Sequence, residues 1–390
     1  MVKFNKDLFN IKYKNSFQRL SDEVGKYKEK HPKDGVISLS VGDVSLPVAK
    51  PITVKMKEAV DDLGDAKTFK GYGGYLGYDF LKKAIKENEY KDFDINEIYV
   101  SDGAKSDTTS ILELFDKDSK ICIANPMYPV YSNGAMVLNR NVTLLDAYSE
   151  NDFLPDIPLD KYDIIYMCSP SNPIGIVYPK DYLQKWVNYA LENNSVILYD
   201  NVYSSFIRSK DAVKSIYELK NARKVAVEFR SFSKSLSFTG VRCSYYVVPN
   251  DIDENINKLW QLRTINRFNG ASYIAQKGAL ATYDKETQKL ITSNIDYYLE
   301  NAQILRNVFL KNGFKVWGGM DSPYLWIQIK DGRTSWEEFF YFLNNLEIVI
   351  VPGIIFGSNG DNYFRISSLG KRSDILLAVE RIDKLYEKEV

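Results

Sequence analysis

The segment EFRSFSKSLSFTGVRC, residues 228–243, places Lys234 between serines and puts Arg242 behind a Thr-Gly turn. A lysine can hold an aldehyde cofactor as a Schiff base, and nearby hydroxyls and a guanidinium can bind the phosphate of that cofactor. The pattern therefore suggests pyridoxal 5'-phosphate attached to Lys234. Ser and Lys are also common in solvent-exposed loops, so the alternative interpretation is that Lys234 is an ordinary surface lysine. Three further segments favour the cofactor-binding interpretation.

Two apolar runs end in polar side chains, in SVILYDNVYSSFI (195–207) and in YDIIYMCSPSNPIGIV (162–177). Such runs are typical of buried parallel strands, and ligands of open α/β sheets gather at the carboxyl ends of the strands. Asp200 at the end of the first run can keep a pyridine nitrogen protonated, and Tyr203 can donate to the phenolic oxygen of the same ring. The alternative role of Asp200 is to cap a helix. In the second run, two prolines make a rigid turn that aims the Asn172 amide at one target.

A third segment, EIYVSDGAKSDTTSILELF (97–115), predicts a strand, a glycine-containing turn and a helix. Backbone N–H groups at the start of a helix bind anions, so Gly103, Ala104 and Lys105 can cradle a phosphate. The segment lacks the G-x-x-x-x-G-K spacing of a nucleotide-binding P-loop. It therefore indicates a phosphate site of another kind.

These segments, in this order, resemble the class I and II aminotransferases of pyridoxal phosphate fold type I, and within them the LL-diaminopimelate aminotransferases. The resemblance runs from about residue 36 to residue 370 and rests on VISLSVGD, GYGGYLGYDFLKKAI, SDGAKSD, NPMYPVY, CSPSNPIG, EFRSFSKSLSFTGVRC, RFNGASYIAQ, SPYLW and YFRISSLG. Single motifs are generic to the class, and the combination of SDGAK, EFRSFSK, FTGVRC and FNG-x-SYI is more specific to that subgroup. It implies an enzyme that moves an amino group between an amino acid and a 2-oxo acid, with 2-oxoglutarate as the expected acceptor.

The resemblance also implies roles for individual residues toward the cofactor. Lys234 would carry the cofactor and act as acid and base, Asp200 would pair with the ring nitrogen, and Tyr203 would bond the phenolic oxygen together with Asn172. Tyr128 would stack on the ring. The phosphate would be held by Ala104, Lys105, Ser231, Ser233 and Arg242, with Ser231 and Ser233 as alternatives for one hydroxyl.

On the substrate side, Arg365 resembles the arginine that takes the α-carboxylate, a role that its planar fork of donors suits. Gly42 would line the same pocket through its backbone. Lys105, Tyr128 and Asn172 would face the substrate as well as the cofactor. Tyr72 and Asn269 match positions that reach the active site of a neighbouring subunit in the family, which implies a homodimer with shared active sites.

Two departures from the family concern the far end of the substrate. The diaminopimelate enzymes often carry a glutamate after GYG that reads the distal ammonium-bearing end, and Tyr75 stands at that position here. A tyrosine near the amino terminus that closes the pocket aligns with Asn15. We therefore expect intact chemistry with an altered distal pocket, and LL-diaminopimelate is not expected to be the best substrate.

The predicted fold is α/β, with a large domain whose mainly parallel sheet is flanked by helices and a smaller α+β domain. Strand-like runs such as ICIAN, DIIYMC, SVILYD, KVAVEF and CSYYVV alternate with helical stretches, which is typical of a sheet covered on both faces. The predicted parts are an amino-terminal segment, 1–35, which packs with the small domain, a cofactor domain, 36–285, and the small domain, 286–390.

Composition excludes several other classes of protein. Lys and Arg total 51 against 51 Asp and Glu, so no basic excess attracts nucleic acid or an anionic membrane. No stretch approaches the roughly 20 apolar residues that cross a bilayer, and the start has no apolar leader, so we expect a cytoplasmic protein. The three cysteines match no metal or redox spacing and are predicted to be buried thiols, and no metal site is expected. His31, in a polar loop, is predicted to lie on the surface.

Two other classes of function remain to be separated from transamination. A pyridoxal phosphate enzyme of another reaction type, such as an oxidase, cyclase or lyase, would keep every cofactor residue and change only the pocket. A catalytically silent binding protein would be expected to lose Lys234 or Asp200, and both are present.

Overall fold

The computed structural model describes residues 2–3, 8, 15–33, 35–40 and 42–386. Its strands are β1 Ile37–Ser38, β2 Ile98–Ser101, β3 Ile121–Asn125, β4 Val142–Asp146, β5 Ile164–Cys168, β6 Val196–Asp200, β7 Ala226–Ser231, β8 Ser244–Val247, β9 Val316–Gly318, β10 Tyr324–Gln328, β11 Ile348–Val349, β12 Val351–Pro352 and β13 Tyr363–Ser367. Its α-helices are α1 Phe17–Lys30, α2 Lys50–Gly64, α3 Asp79–Glu89, α4 Ala104–Ser110, α5 Val130–Val137, α6 Lys180–Asn193, α7 Phe232–Ser235, α8 Ile256–Arg267, α9 Tyr273–Leu280, α10 Lys285–Lys311, α11 Ser335–Leu346 and α12 Arg372–Tyr386.

The larger sheet has the strand order β2-β8-β7-β6-β5-β3-β4. All of its neighbouring pairs are parallel except those that involve β8, which runs antiparallel to both β2 and β7. Every residue of β3 and β5 is buried, as expected for parallel strands covered on both faces. The predicted α/β class with a mainly parallel sheet is confirmed.

Helices cover both faces of this sheet. On one face Leu183 and Trp186 of α6 pack on Ile165 and Ile197. On the other face a separate core forms around residues from α5, α8 and the turn that follows α4, namely Ile111, Leu112, Tyr131, Ala135 and Trp260. Helices cover both faces of the sheet, so a ligand can enter only at the ends of the strands. The polar groups that follow β5 and β6 lie together at the carboxyl ends of these two strands.

A smaller antiparallel sheet, ordered β12-β13-β10-β9, forms from the last quarter of the chain. It shares one core with α10, α11 and α12, and Leu20 of α1 lies in that core. Phe17 of α1 also contacts Phe356 edge to face at 5.8 Å, and β1 pairs in parallel with β11. The packing of the segment 1–35 with the small domain and the boundaries of the three parts stay predictions, and β1 lies within the range predicted for the cofactor domain.

The two sheets meet where two glycines touch. Gly175, in the turn after β5, and Gly318, at the end of β9, both have left-handed φ angles, 78° and 77°. A Cβ on Gly175 would lie 2.2 Å from the carbonyl oxygen of Tyr324, and one on Gly318 would lie 2.4 Å from the same oxygen. No larger side chain fits there, so the two backbones approach directly and bring the turn after β5 against β10.

Three other predictions can be compared with the structure. The cysteines Cys122, Cys168 and Cys243 are buried and free, as predicted. His31 is exposed, although its ring stacks on Tyr27. Within the described ranges, none of the helices combines the length and apolar character needed to span a bilayer.

Candidate active site

A cavity of about 590 Å³ opens at the carboxyl ends of β5 and β6, between the large sheet and the small one. The first turns of α1 and α4 and the short helix α7 form its other walls. Most of the residues predicted from the sequence line it: Gly42, Ala104, Lys105, Tyr128, Asn172, Asp200, Tyr203, Ser231, Ser233, Lys234, Arg242 and Arg365. The structure thus brings together side chains that are spread over more than three hundred positions of the chain.

Lys234 projects into the cavity from α7, directly after β7. Its Nζ donates a hydrogen bond to the backbone carbonyl of Gly42. The pKa of Lys234 is lowered to about 8, chiefly by burial, with Asp43 opposing the shift and the neighbouring Arg365 and Arg242 adding to it. About a tenth of this amine is therefore uncharged at pH 7, far more than for an ordinary lysine, and the uncharged form is the one that a nucleophile or base requires.

Asp200 ends β6 and is buried. Within the described residues its carboxylate accepts hydrogen bonds from the Tyr131 hydroxyl at 2.5 Å and from the Val202 N–H at 3.3 Å. Burial raises the pKa of Asp200 to about 6, while these two donors act in the opposite direction. The carboxylate is ionised at neutral pH and has no cationic partner among the described residues, so it would stabilise a cation bound beside it.

Tyr203 follows β6 and is buried beside Tyr324, the first residue of β10. Their hydroxyl oxygens are 2.9 Å apart and their rings meet edge to face at 5.2 Å. Burial raises the pKa of Tyr203 well above its usual value, so its hydroxyl keeps its proton and can donate it.

Arg365, on β13, is 3 % exposed and is anchored by two hydrogen bonds. Its Nη1 donates to Asn172 Oδ1 at 2.7 Å, and its Nη2 donates to the backbone carbonyl of Ser40 at 3.0 Å. Its Nε has no partner among the described residues. A buried guanidinium that is fixed in place with one donor free is suited to receive an anion.

A second group of hydrogen-bond donors lies where α4 begins. Gly103, with φ 153°, precedes α4, and a Cβ at this position would lie 2.0 Å from Nη2 of Arg242. The missing side chain therefore makes room for the guanidinium over the start of the helix. Ser231 and Ser233 lie next to these donors, and the Ser231 hydroxyl accepts a hydrogen bond from the Ser233 N–H at 3.1 Å.

Four of the predicted site residues do not line the cavity. Tyr72 is 89 % exposed and Tyr75 is 40 % exposed, and Asn269 also lies at the surface. A Cβ on Gly270 would lie 2.7 Å from the carbonyl oxygen of Gly74, so the turn that carries Asn269 packs on the loop of the two tyrosines. Asn15 is partly buried just before α1.

Sequence reasoning missed three groups in and around the cavity. Tyr131 follows Tyr128 in NPMYPVY, and that repeat of tyrosines was the only available signal for its contact with Asp200. Tyr324, in SPYLW, and the backbone carbonyl of Ser40 gave no signal, because their partners Tyr203 and Arg365 come from distant elements. The backbone of Gly42, whose carbonyl accepts from Lys234, was predicted to line the pocket.

Comparison with known proteins agrees with this geometry. The family described as aminotransferase class I and II matches residues 34–382. The chain is 42 % identical to an LL-diaminopimelate aminotransferase of Methanosphaera stadtmanae, over 98 % of this chain and 99 % of that protein, and 41 % identical to one of Phocaeicola vulgatus, over 94 % and 95 %. The solved structure of the LL-diaminopimelate aminotransferase of Chlamydomonas reinhardtii is similar with a TM-score of 0.93 and 34 % identity, over 99 % of both chains.

Proposed function

The chain belongs to the class I and II aminotransferases, and on that basis we propose that the cavity around Lys234 is where it moves an amino group from an α-amino acid to a 2-oxo acid. It is a pyridoxal phosphate-dependent transferase. The names of its relatives favour transamination over an oxidase, cyclase or lyase reaction on the same scaffold. The observation that carries the proposed site is the convergence of Lys234, Asp200 and Arg365 on one cavity.

The residues of the cavity fit the cofactor. Because Gly103 has no side chain, the Arg242 guanidinium lies close to the start of α4. A phosphate bound beside it would accept hydrogen bonds from the guanidinium, from backbone N–H groups and from the serine hydroxyls. Lys105 and Ala104 lie at the same end of the cavity. At the other end of the cavity, the buried Asp200 would face the protonated ring nitrogen, and Tyr128 would cover the ring.

When bound, pyridoxal phosphate supplies an electron sink for the electron pair left on the substrate Cα after that carbon loses its proton. The protein residues do the rest. Lys234 would remove the proton, because its pKa of about 8 leaves it partly uncharged at neutral pH. Asp200 would hold the ring nitrogen in its charged form, and the hydroxyl of Tyr203 and the amide of Asn172 would donate to the phenolic oxygen.

The substrate carboxylate would bind Arg365. Its Nη atoms are held by Asn172 and Ser40, so the guanidinium is already oriented before substrate arrives. The free Nε would provide one of the donors to the incoming carboxylate. Preorganisation of this kind reduces the ordering that binding requires and fixes the Cα near Lys234.

A homodimer would complete the site. Tyr72, Tyr75 and Asn269 lie on adjoining exposed segments and do not reach the cavity of their own chain. In a dimer, Tyr72 and Asn269 would enter the partner's cavity, and Tyr75 would face the far end of its substrate. Because Tyr75 and Asn15 replace residues that read that end in the family, we propose that an amino acid other than LL-diaminopimelate is the preferred donor, with 2-oxoglutarate as acceptor.

A single-turnover assay tests the function. The holoenzyme is mixed with one amino acid at a time and no oxo acid, and both products are quantified. A transaminase releases one oxo acid per active site, converts the cofactor to its amine form, and returns to the starting state when 2-oxoglutarate is added. Release of ammonia, consumption of oxygen, or continued turnover without an acceptor would show a different reaction.

A further inference from the structure

Tyr324 lines the cavity between the two parts of the proposed site and contacts one proposed site residue in each part. It begins β10 in the smaller sheet and is 2 % exposed. Its hydroxyl oxygen lies 2.9 Å from that of Tyr203, which belongs to the large sheet. Its ring lies under Arg365, with the guanidinium carbon 4.3 Å from the ring centroid. One side chain thus contacts the residue proposed to bond the cofactor and the residue proposed to bind the substrate.

The position of Tyr324 is fixed by its backbone. The close approach of Gly175 and Gly318 to its carbonyl oxygen clamps the start of β10 against the turn that carries Asn172. A Cβ on Gly42 would lie 2.6 Å from the Tyr324 hydroxyl oxygen, so the hydroxyl also abuts the backbone whose carbonyl accepts from Lys234. Contacts with both the backbone and the hydroxyl thus hold Tyr324 beside the cavity.

A count of protons gives the direction of the hydroxyl pair. Each tyrosine hydroxyl has one proton to donate. If Tyr203 donates its proton to the phenolic oxygen of the cofactor, the proton between the two tyrosines must come from Tyr324. Tyr203 then accepts one hydrogen bond while it donates another, and chains of this kind strengthen each member.

We propose that Tyr324 is a positioning residue: its hydroxyl donates to Tyr203 and directs the Tyr203 proton at the cofactor, and its ring holds the Arg365 guanidinium in place for the substrate carboxylate. The inference rests on the proposed roles of Tyr203 and Arg365. It assigns separate duties to two parts of one side chain, and substitutions can remove them one at a time.

The hydroxyl is tested by the absorbance of the holoenzyme as a function of pH. The lysine-bound cofactor changes colour when its nitrogen loses a proton, and that proton is attracted by negative charge on the phenolic oxygen. A weaker donor to this oxygen leaves more charge on it, so the midpoint moves to higher pH. We expect a rise of about one pH unit in Tyr203→Phe and about half a unit in Tyr324→Phe.

A double variant shows whether Tyr324 acts through Tyr203. In the Tyr203→Phe background, adding Tyr324→Phe should leave the midpoint where it is. A midpoint unchanged by Tyr324→Phe alone, or moved equally in both backgrounds, would overturn the inference while leaving the role of Tyr203 intact. A midpoint unchanged by Tyr203→Phe would instead overturn the proposed role of Tyr203, and with it this inference.

The ring is tested by the KM for the amino acid. Tyr324→Phe keeps a ring under Arg365 and should leave KM within about twofold, whereas Tyr324→Leu removes the ring and should raise KM by about three- to tenfold. Equal KM values for the two variants would reject the role of the ring. Tyr189→Phe is the matched control. The Tyr189 hydroxyl donates to the backbone carbonyl of Asp160 and accepts from the Tyr162 N–H, both away from the cavity, so its loss should change neither the absorbance midpoint nor the KM.

Folding is monitored by circular dichroism and thermal unfolding of every variant. Tyr324→Phe is expected to unfold within a few degrees of the parent protein, because its ring and backbone contacts remain. Loss of folding in this variant would assign the hydroxyl to stability and overturn its positioning role.

Discussion

The burial and hydrogen bonds of Asp200 restrict its possible chemical role more than those of any other proposed site residue. Its carboxylate is buried, ionised at neutral pH and held by Tyr131 and Val202, with no cation paired to it in the described residues. Replacing it with alanine should slow proton abstraction by roughly 1.5 to 3 orders of magnitude, because charge stabilisation in a closed site contributes about 2–4 kcal/mol. Single-turnover rates with a saturating amino acid measure this directly.

Asp181→Ala is the matched control for that substitution. Asp181 is an exposed carboxylate on α6, remote from the cavity lining, so its loss should leave the rate unchanged. Full activity in Asp200→Ala would show that the ring nitrogen does not depend on this carboxylate.

Tyr75 is the residue on which the proposed specificity depends. If it stands where the diaminopimelate enzymes carry a glutamate, Tyr75→Glu should raise kcat/KM for LL-diaminopimelate by about tenfold or more, since a distal ammonium would regain a charged partner. Tyr75→Gln introduces an uncharged side chain of the same size as glutamate, so it should give little of this increase in kcat/KM. A parent protein that already prefers LL-diaminopimelate over glutamate, lysine, arginine and aromatic amino acids would contradict the proposal.

Among single residues, sequence reasoning identified those whose side-chain type stands out from the segment around them. Lys234 between serines and Asp200 after an apolar run could be found from type and spacing. Tyr324 could not, because its role depends on a hydroxyl 121 positions away in the chain. Partners chosen by packing between elements leave no local pattern for sequence reasoning to detect.

Among the elements, the strands were the most predictable. The runs ICIAN, DIIYMC, SVILYD and CSYYVV contain β3, β5, β6 and β8, because continuous apolar runs of this length are typical of buried strands. The run KVAVEF covers the first four residues of β7, which continues to Ser231. The helix expected in residues 97–115 is shorter than its apolar pattern suggested. α4 ends at Ser110, and Ile111–Leu114 forms a 3-10 turn that still buries Ile111 and Leu112.

α4 also carries a buried carboxylate whose titration should affect stability. Asp107 accepts hydrogen bonds from Ser101 and Ser244, and burial raises its pKa to about 7. The folded protein therefore binds a proton between about pH 4 and 7 that the unfolded chain does not, so this group makes the protein less stable as pH rises through that window. Asp107→Asn removes this dependence.

Urea unfolding of the holoenzyme at about pH 5 and about pH 8 measures the effect. The free energy of unfolding of Asp107→Asn relative to the parent should increase by roughly 2–4 kcal/mol from the lower to the higher pH. Asp118→Asn, at an exposed position, should show no such change. A difference that is constant with pH would mean that Asp107 does not titrate in this range.

For the whole molecule, the α/β class and the family were accessible from sequence, but the fit of the two sheets was not. That fit depends on the contact of Gly175 and Gly318 with the carbonyl of Tyr324, and glycines are common in turns that make no such contact. The contact lies beside the turn that carries Asn172, which accepts a hydrogen bond from Arg365, so a feature that sequence could not predict adjoins the proposed substrate site.

The proposed sharing of active sites between two subunits makes a prediction about mixed dimers. Lys234→Ala and Tyr72→Ala should each be nearly inactive alone. A dimer with one chain of each kind contains one site with both residues intact, so refolding or co-expressing the two variants should restore up to about half of the parent activity per mixed dimer. If the activity of the mixture were only the sum of the activities of the two single variants, Tyr72 would contribute to the active site of its own chain or to none.

The central claim is that Lys234 carries the cofactor and moves the proton. Reducing the holoenzyme with borohydride fixes the cofactor to its lysine, and peptide mapping by mass spectrometry identifies that lysine. We predict the added mass on the peptide that contains Lys234, and none in Lys234→Ala. A label on Lys105, or on any other lysine, would contradict the account.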